Sequence, residues 1–369
     1  MTGKRKSIKI SAPMAVILIL LPLAAALCVL LFTPSPAPEY APGGDLGMPS
    51  SPVIRPYGIV CCAGAVLAML AAALLKPRKT PYLRLAAMFA LCLPLSLLCS
   101  RLMYCLCSIG KYTADGAVRG MLFVQNGGWM MGGVFIGAAL SCLICASSAE
   151  KGAGRREYFF LLLNALAVPL LTFIVFERFG EYFTGYGRGL KLKPNESSLC
   201  FFPIFTALQK NGRVFRYELS VWFLEGLYAL ICLTVFIINR KKISSAFVST
   251  LILYCAGQIV FESLLTCDCP KWGAFVNVNM VLSGAVLLGL TVIFALRRKS
   301  LSGGVKALRI ALCLLILAVC GGCEWALDKT EIPNPVIYGI MVLCCGLCAA
   351  NVLTLRKNMT ASETGIKAE

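Results

Sequence analysis

The chain contains no histidine and few acids: 17 Asp and Glu stand against 35 Lys and Arg, and charged residues make up only 14% of its 369 residues. The first absence excludes imidazole-based catalysis and histidine-ligated zinc. The scarcity of charge excludes the soluble domains that this length would otherwise allow. Hydrophobic residues reach 59% and fall in runs of roughly twenty, the length that crosses a bilayer. The fold class these runs define is an all-α polytopic membrane protein. Most of the 20 cysteines lie inside the runs, where a thiol acts as a small hydrophobe, and they read as reduced packing residues. Cys267 and Cys269 share a short loop with too few ligands for a metal site, so no metal and no cofactor is expected. The formal charge of +18 points to anionic partners, and for a membrane protein the nearest anions are lipid headgroups. Nucleic acid is a poor fit, because the bases are spread over many short loops and form no soluble basic domain.

Lys4, Arg5, Lys6 and Lys9 precede an apolar run at 13–32. That run is too long for a cleaved signal peptide and has no small-residue exit before Pro34, so it reads as an uncleaved anchor. Leu27 stands where a lipobox before Cys28 would need a small residue. Residues 34–55 form a linker rich in Pro, Gly and Ser. Further spans are expected at 57–75, 85–106, 129–146, 158–176, 219–238, 246–265, 273–296, 308–323 and 335–355, about ten in all. Basic clusters occupy the N-terminus, 76–84, 151–156, 240–242, 297–309 and the tail, which are alternate loops. The positive-inside rule therefore puts both termini in the cytoplasm. The outer loop 177–218 breaks the pattern with Arg178, Arg188, Lys191, Lys193, Lys210, Arg213 and Arg216. Long loops escape the rule, and a bound anionic headgroup would give these bases a purpose.

The rest of the chain is organised around 176–189, FERFGEYFTGYGRG, where a long apolar segment stops amid arginines, acids, aromatics and glycines. Glycines at 180, 185, 187 and 189 would allow sharp turns and bring backbone N–H groups close to a ligand. An ordinary solvated loop is the alternative. Within the spans, Arg101, Glu225, Gln258, Glu262, Asn277 and Asn279 are polar groups that a plain anchor would lack. Gln258 and Glu262 are four apart and share a helix face. Arg101, Arg178, Glu225 and Glu262 all fall in the same outer half of the membrane, where a buried polar network is expected. Structural pairing is the alternative for each residue taken singly.

Several of these segments, in chain order, resemble the prolipoprotein diacylglyceryl transferases. Ile54-Arg55-Pro56-Tyr57-Gly58 is similar to that family's Ile-Arg-Trp-Tyr-Gly, and Ser100-Arg101-Leu102-Met103-Tyr104 to its Gly-Ala-Arg-Leu-x-Tyr. Asn126 to Gly133 resembles Gly-Gly-x-x-x-His-Gly-Gly, one residue short. Arg178-Phe179-Gly180-Glu181-Tyr182-Phe183-Thr184-Gly185 resembles the signature Arg-x-Gly-Asn-Phe-x-Asn-Gly, with Gly189 at the spacing of a further signature glycine. Tyr217-Glu218, or else the turn before Leu224-Glu225-Gly226, stands where the family has Gln-Leu-Tyr-Glu. Tyr254, Gln258 and Glu262 resemble Tyr-Gly-x-x-Arg-Phe-x-x-Glu.

The resemblance implies a seven-span core at 53–298, preceded at 1–52 by the anchor and linker and followed at 299–369 by two added spans and a tail. It also implies transfer of the diacylglyceryl group from phosphatidylglycerol to a cysteine thiol in the signal-peptide region of exported prolipoproteins, at the bacterial inner membrane. Carried over residue by residue, it implies a phosphate-gripping role for Arg178 and a hydrogen bond from Tyr57 to the lipid head. Gly180, Gly185, Gly189, Arg101, Tyr254, Gln258 and Glu262 would line the lipid site. Three departures bear on activity: Met131 replaces the motif histidine, Glu181 the signature asparagine, and Gln258 a second arginine. Glu181, beside Arg178, is the candidate acceptor of the thiol proton. A non-catalytic lipid-binding or regulatory protein on the same fold is the alternative; a secondary transporter is disfavoured because the two halves show no internal similarity.

Overall fold

The computed structural model describes residues 23–24, 56–75, 82–110, 128–147, 155–193, 201–210, 213–239, 246–266, 270–272 and 276–363. The anchor run at 13–32 apart from two residues, the linker at 34–55, and Cys267 with Cys269 lie outside them. Among the described residues, eight helices are long and apolar enough to cross a membrane. They are α1 (Pro56–Leu75), α2 (Tyr82–Cys107), α4 (Arg155–Gly180), α5 (Val221–Asn239), α6 (Ala246–Leu264), α7 (Val278–Arg297), α8 (Gly303–Lys329) and α9 (Asn334–Glu363). The helix α3 (Met131–Ser147) has only 17 residues, about 26 Å at 1.5 Å per residue. The expected span beginning at residue 129 starts two residues late for a local reason. Gly128 turns the chain at φ +83°, and Met130 is tied to α2 by a reciprocal pair of bonds with Ser100 Oγ, each 2.8 Å.

Small residues let α2 and α3 pack backbone to backbone. A Cβ on Gly133 would lie 2.4 Å from the Cys99 carbonyl oxygen, and one on Gly137 would lie 2.5 Å from that of Leu95. This is the small-x-x-x-small spacing that replaces hydrophobic driving force in a bilayer. Helix α4 is the most buried span and packs against α1, α3 and α5. A second group forms behind α6, where α6, α7, α8 and α9 share one core that includes Ile252, Ile259, Leu287, Ile316, Met341 and Val352. Cysteine serves there as a packing residue: Cys313 meets Cys348 at 3.6 Å and Cys320 meets Cys345 at 4.0 Å, sulfur to sulfur, all as free thiols.

The loop at 177–218, where no strand was expected, holds a three-stranded antiparallel sheet. Its strands β1 (Arg188–Leu192), β2 (Phe205–Lys210) and β3 (Arg213–Ser220) lie in the order β1-β3-β2. Arg188 pairs with Ser220 and Phe205 with Leu219 in register. The sheet is sewn to the helix ends, because Trp222 N–H donates to the Gly187 carbonyl at 2.8 Å and Thr266 N–H to the Arg188 carbonyl at 3.1 Å. Strand β3 ends at Ser220 and α5 begins at Val221, with nothing between them. A two-stranded ribbon, β4 (Lys271–Trp272) with β5 (Val276–Asn277), leads into α7.

Helix direction then collects the polar residues. Tyr57, Glu225 and Asn279 lie in the first turns of α1, α5 and α7, while Arg101, Arg178 and Glu262 lie in the last turns of α2, α4 and α6. All six therefore sit at one end of the bundle.

Candidate functional site

The sequence places the end of an apolar segment at Phe176, but helix α4 continues to Gly180, followed by a 3-10 turn over Glu181–Phe183. Glu177, Arg178 and Glu181 are thus projected from a regular helix end and the turn that follows. The alternative of a solvated loop does not hold, since Arg178 is 6% exposed and Glu181 is 8% exposed. Three carboxylates surround the guanidinium. Arg178 Nη1 lies 2.6 Å from Glu181 Oε1, and its Nε lies 2.9 Å from Glu225 Oε1 and 3.4 Å from Glu177 Oε2. Tyr57, from α1, donates its hydroxyl to Glu177 Oε1 at 3.3 Å. An arginine forms such buried clusters because its fork of donors serves several acceptors at once and its charge does not leave.

On α6, Tyr254, Gln258 and Glu262 are one turn apart and all buried. Gln258 Nε2 donates to Glu262 Oε1 at 3.0 Å, and Asn279 Nδ2 donates to the same oxygen at 2.9 Å. Asn277 Nδ2 donates to the Glu262 backbone carbonyl at 2.5 Å. Gln258 also faces Glu225, and Tyr254 faces both Glu225 and Arg178, so the α6 residues form the inner floor beneath the Arg178 cluster. The Tyr254 ring rests on Phe135 of α3, with centroids 5.6 Å apart.

Arg101 lies at the same end of the bundle, on α2. It is buried, donates to the Gly128 carbonyl at 3.2 Å and lies over the Tyr104 ring at 5.9 Å. Among the glycines, Gly185 has φ +74° and ends the turn in a conformation that side chains rarely adopt. A Cβ on Gly189 would lie 2.5 Å from the Leu264 carbonyl oxygen, so this glycine lets β1 cross the end of α6. Gly180 packs on Tyr57. Of the two candidates for the family's Tyr-Glu position, Glu225 reaches Arg178, whereas Glu218 belongs to the sheet and pairs with Arg216 at 2.7 Å and Arg188 at 3.6 Å.

Two contributors were not singled out as site residues from the sequence. Trp222 roofs the cluster with Phe179, Tyr182 and Phe223, at centroid distances of 6.3, 5.3 and 5.7 Å. Its position directly after a strand, at the mouth of an apolar helix, was the available signal. Arg188 is 5% exposed and its Nη2 has no hydrogen-bond partner among the described residues. Burial lowers the pKa of Arg188 while Glu218 opposes the shift; a guanidinium keeps its charge regardless.

A cluster of buried charges at one end of a bundle of apolar helices, roofed by aromatics and backed by a small polar sheet, defines a polytopic membrane protein with a buried polar site. The chain belongs to the prolipoprotein diacylglyceryl transferase family, whose model matches residues 49–296. It is 27% identical over 252 residues to the phosphatidylglycerol--prolipoprotein diacylglyceryl transferase of Clostridium novyi (strain NT), an alignment covering 65% of this chain and 90% of that relative. It is a transferase-family protein of the bacterial membrane.

Proposed function

We propose that this protein transfers the diacylglyceryl group of phosphatidylglycerol to a cysteine thiol in the signal-peptide region of prolipoproteins, from the outer leaflet of the inner membrane with both termini cytoplasmic. Family membership supports this reading, and the observation that carries it within the structure is the buried Arg178 at the end of α4, at the signature position. In the reaction a C–S bond forms at the glyceryl carbon, the C–O bond to phosphate breaks, glycerol phosphate leaves, and the thiol proton passes to a base. Negative charge grows on the departing phosphate, so a fixed cation beside it lowers the barrier. Arg178 supplies that cation, and the buried Arg188 on β1, whose Nη2 has no hydrogen-bond partner among the described residues, adds positive charge. Glu181, bonded to Arg178 at 2.6 Å, accepts the proton. Tyr57 exchanges its bond to Glu177 for one to the lipid head; Gly180 and Gly185 shape the turn that admits it, and Gly189 lets β1 pass close behind. Tyr254, Gln258 and Glu262 form the floor and Arg101 orders the start of α3. The core at 53–298 carries the chemistry, and the spans in 299–369 buttress α6 and α7.

One observation favours the second reading, a lipid-binding protein without transfer. Arg178 Nε and Nη1 already face carboxylates, and a phosphate would have to displace at least one. The test is transfer of labelled diacylglycerol from phosphatidylglycerol to a lipobox peptide, alongside rescue of a bacterium depleted of its own transferase. Product with the intact chain and none with Arg178→Ala supports transfer. Phosphatidylglycerol binding without product, with the chain present in the membrane, establishes the second reading.

A further inference from the structure

The inner floor of the site carries buried oxygens without hydrogen-bond partners, most of them pure acceptors. Among the described residues, Glu225 Oε2, Glu262 Oε2, Gln258 Oε1, Asn277 Oδ1, Asn279 Oδ1 and the Tyr254 hydroxyl are buried with no hydrogen-bond partner. Glu225 is 0% exposed, Glu262 2%, Gln258 3% and Asn277 7%, so bulk water does not serve them. These groups adjoin one another. Gln258 is bonded to Glu262 and faces Glu225 without a well-formed hydrogen bond, and Asn279 is bonded to Glu262. Arg178 is turned toward Glu177, Glu181 and the Oε1 side of Glu225, leaving the far oxygens of Glu225 and Glu262 to something else. Leaving a buried carboxylate oxygen without a donor costs about 1–3 kcal/mol or more, and the amide oxygens beside these two carboxylates add further acceptors for the same missing partner.

We propose that this floor is a binding site for one monovalent cation, held by the carboxylates of Glu225 and Glu262 and the side-chain oxygens of Gln258, Asn277 and Asn279. Two carboxylates among neutral carbonyl-type oxygens suit an ion of single charge whose hydration shell is replaced by protein oxygens. No group of three or more acidic, cysteine or histidine side chains suited to a metal ion exists among the described residues, and divalent ions call for denser or better-hydrated oxygen shells. A bare sodium or potassium ion and the primary ammonium of an aminolipid headgroup share the required chemistry. An occupied site also offsets the acidic excess around Arg178, which would otherwise repel an anionic headgroup.

The experiment places the intact chain in nanodiscs of phosphatidylglycerol and phosphatidylcholine, in choline chloride, whose cation has no N–H donors and is too large for such a floor. Thermal unfolding is then followed as sodium or potassium replaces choline at constant ionic strength. In a parallel arm phosphatidylethanolamine replaces phosphatidylcholine under choline. The expected result is a saturable rise in Tm in at least one arm; a response to the salts identifies a bare ion, and a response to phosphatidylethanolamine alone identifies a lipid ammonium. Glu262→Gln should lose most of that rise, and Gln258→Met, which keeps both carboxylates, should shift half-saturation to higher concentration. Identical Tm values in every arm, or a full response in Glu262→Gln, overturn the proposal. Because the readout is unfolding, it is decided whether or not the chain proves active in transfer.

Discussion

Replacing Arg178 with Met keeps the apolar stem of the side chain and removes its charged head. In the structure this leaves Glu177, Glu181 and Glu225, at 3.4, 2.6 and 2.9 Å from the lost nitrogens, facing one another without their shared cation. Removing one partner of a buried pair costs about 3–5 kcal/mol, because the remaining charge stays buried and uncompensated. At about 1.4 kcal/mol per decade that is a loss of roughly 10²- to 4 × 10³-fold in the ratio of folded to unfolded protein. The double variant Arg178→Met with Glu225→Leu removes the most buried of the three acids together with the cation and should recover about 1–3 kcal/mol of the loss. The assay is reversible unfolding of the purified chain in mixed micelles, with transfer activity measured in parallel. Activity should be absent from both variants while stability returns in the second. Equal stability of Arg178→Met and the parent chain would refute the reasoning, since it would mean that water reaches the cluster.

Other perturbations have equally definite outcomes. Glu181→Gln keeps the size of the side chain but cannot take a proton, so transfer should fall by about 10²–10⁴ with phosphatidylglycerol binding retained; unchanged activity would remove Glu181 from that role. Gly137→Val drives a branched side chain into the Leu95 carbonyl, 2.5 Å away, and should cost about 1–3 kcal/mol in an unfolding assay. Gly185→Val, at φ +74°, should cost about 1–3 kcal/mol, whereas Gly185→Asn should be milder because Asn tolerates this region. A chain ending after residue 298 lacks α8 and α9 and uncovers the shared face of α6 and α7. It should unfold at lower temperature than the full chain in the same micelle.

The spans were legible because bilayer thickness imposes a run length that composition alone reveals. Their ends were less so, because capping is local: Met130 and Ser100 decide where α3 begins, and a continuing α4 carries Arg178 beyond the last strongly apolar residue. Within the site, Gln258 and Glu262 could be placed together from their spacing, and Tyr57, Arg178 and Glu181 from motif resemblance. That Glu225 rather than Glu218 reaches Arg178 could not be read off. The choice depends on the sheet, whose register spends Glu218 on Arg188 and Arg216, and the loop sequence does not announce that sheet. The resemblance implied a phosphate-gripping role for Arg178, and its place in the same membrane half as Glu225 and Glu262 pointed to a buried polar network. Two of the acids around its guanidinium, Glu177 and Glu181, are its near neighbours on the same helix end and turn, whereas Glu225 arrives from α5, and no local pattern encodes that long-range contact.

The direct junction of β3 with α5 makes the sheet and the buried cluster one mechanical lever. Glu218 grips Arg188 and Arg216 on one side of the junction, and Glu225 grips Arg178 on the other. With no linker to absorb displacement between Ser220 and Val221, a shift of the strand along its axis is also a shift of the first turn of the helix. A polypeptide pressing on the sheet would therefore be felt at the Arg178 guanidinium before it touched the buried cluster itself.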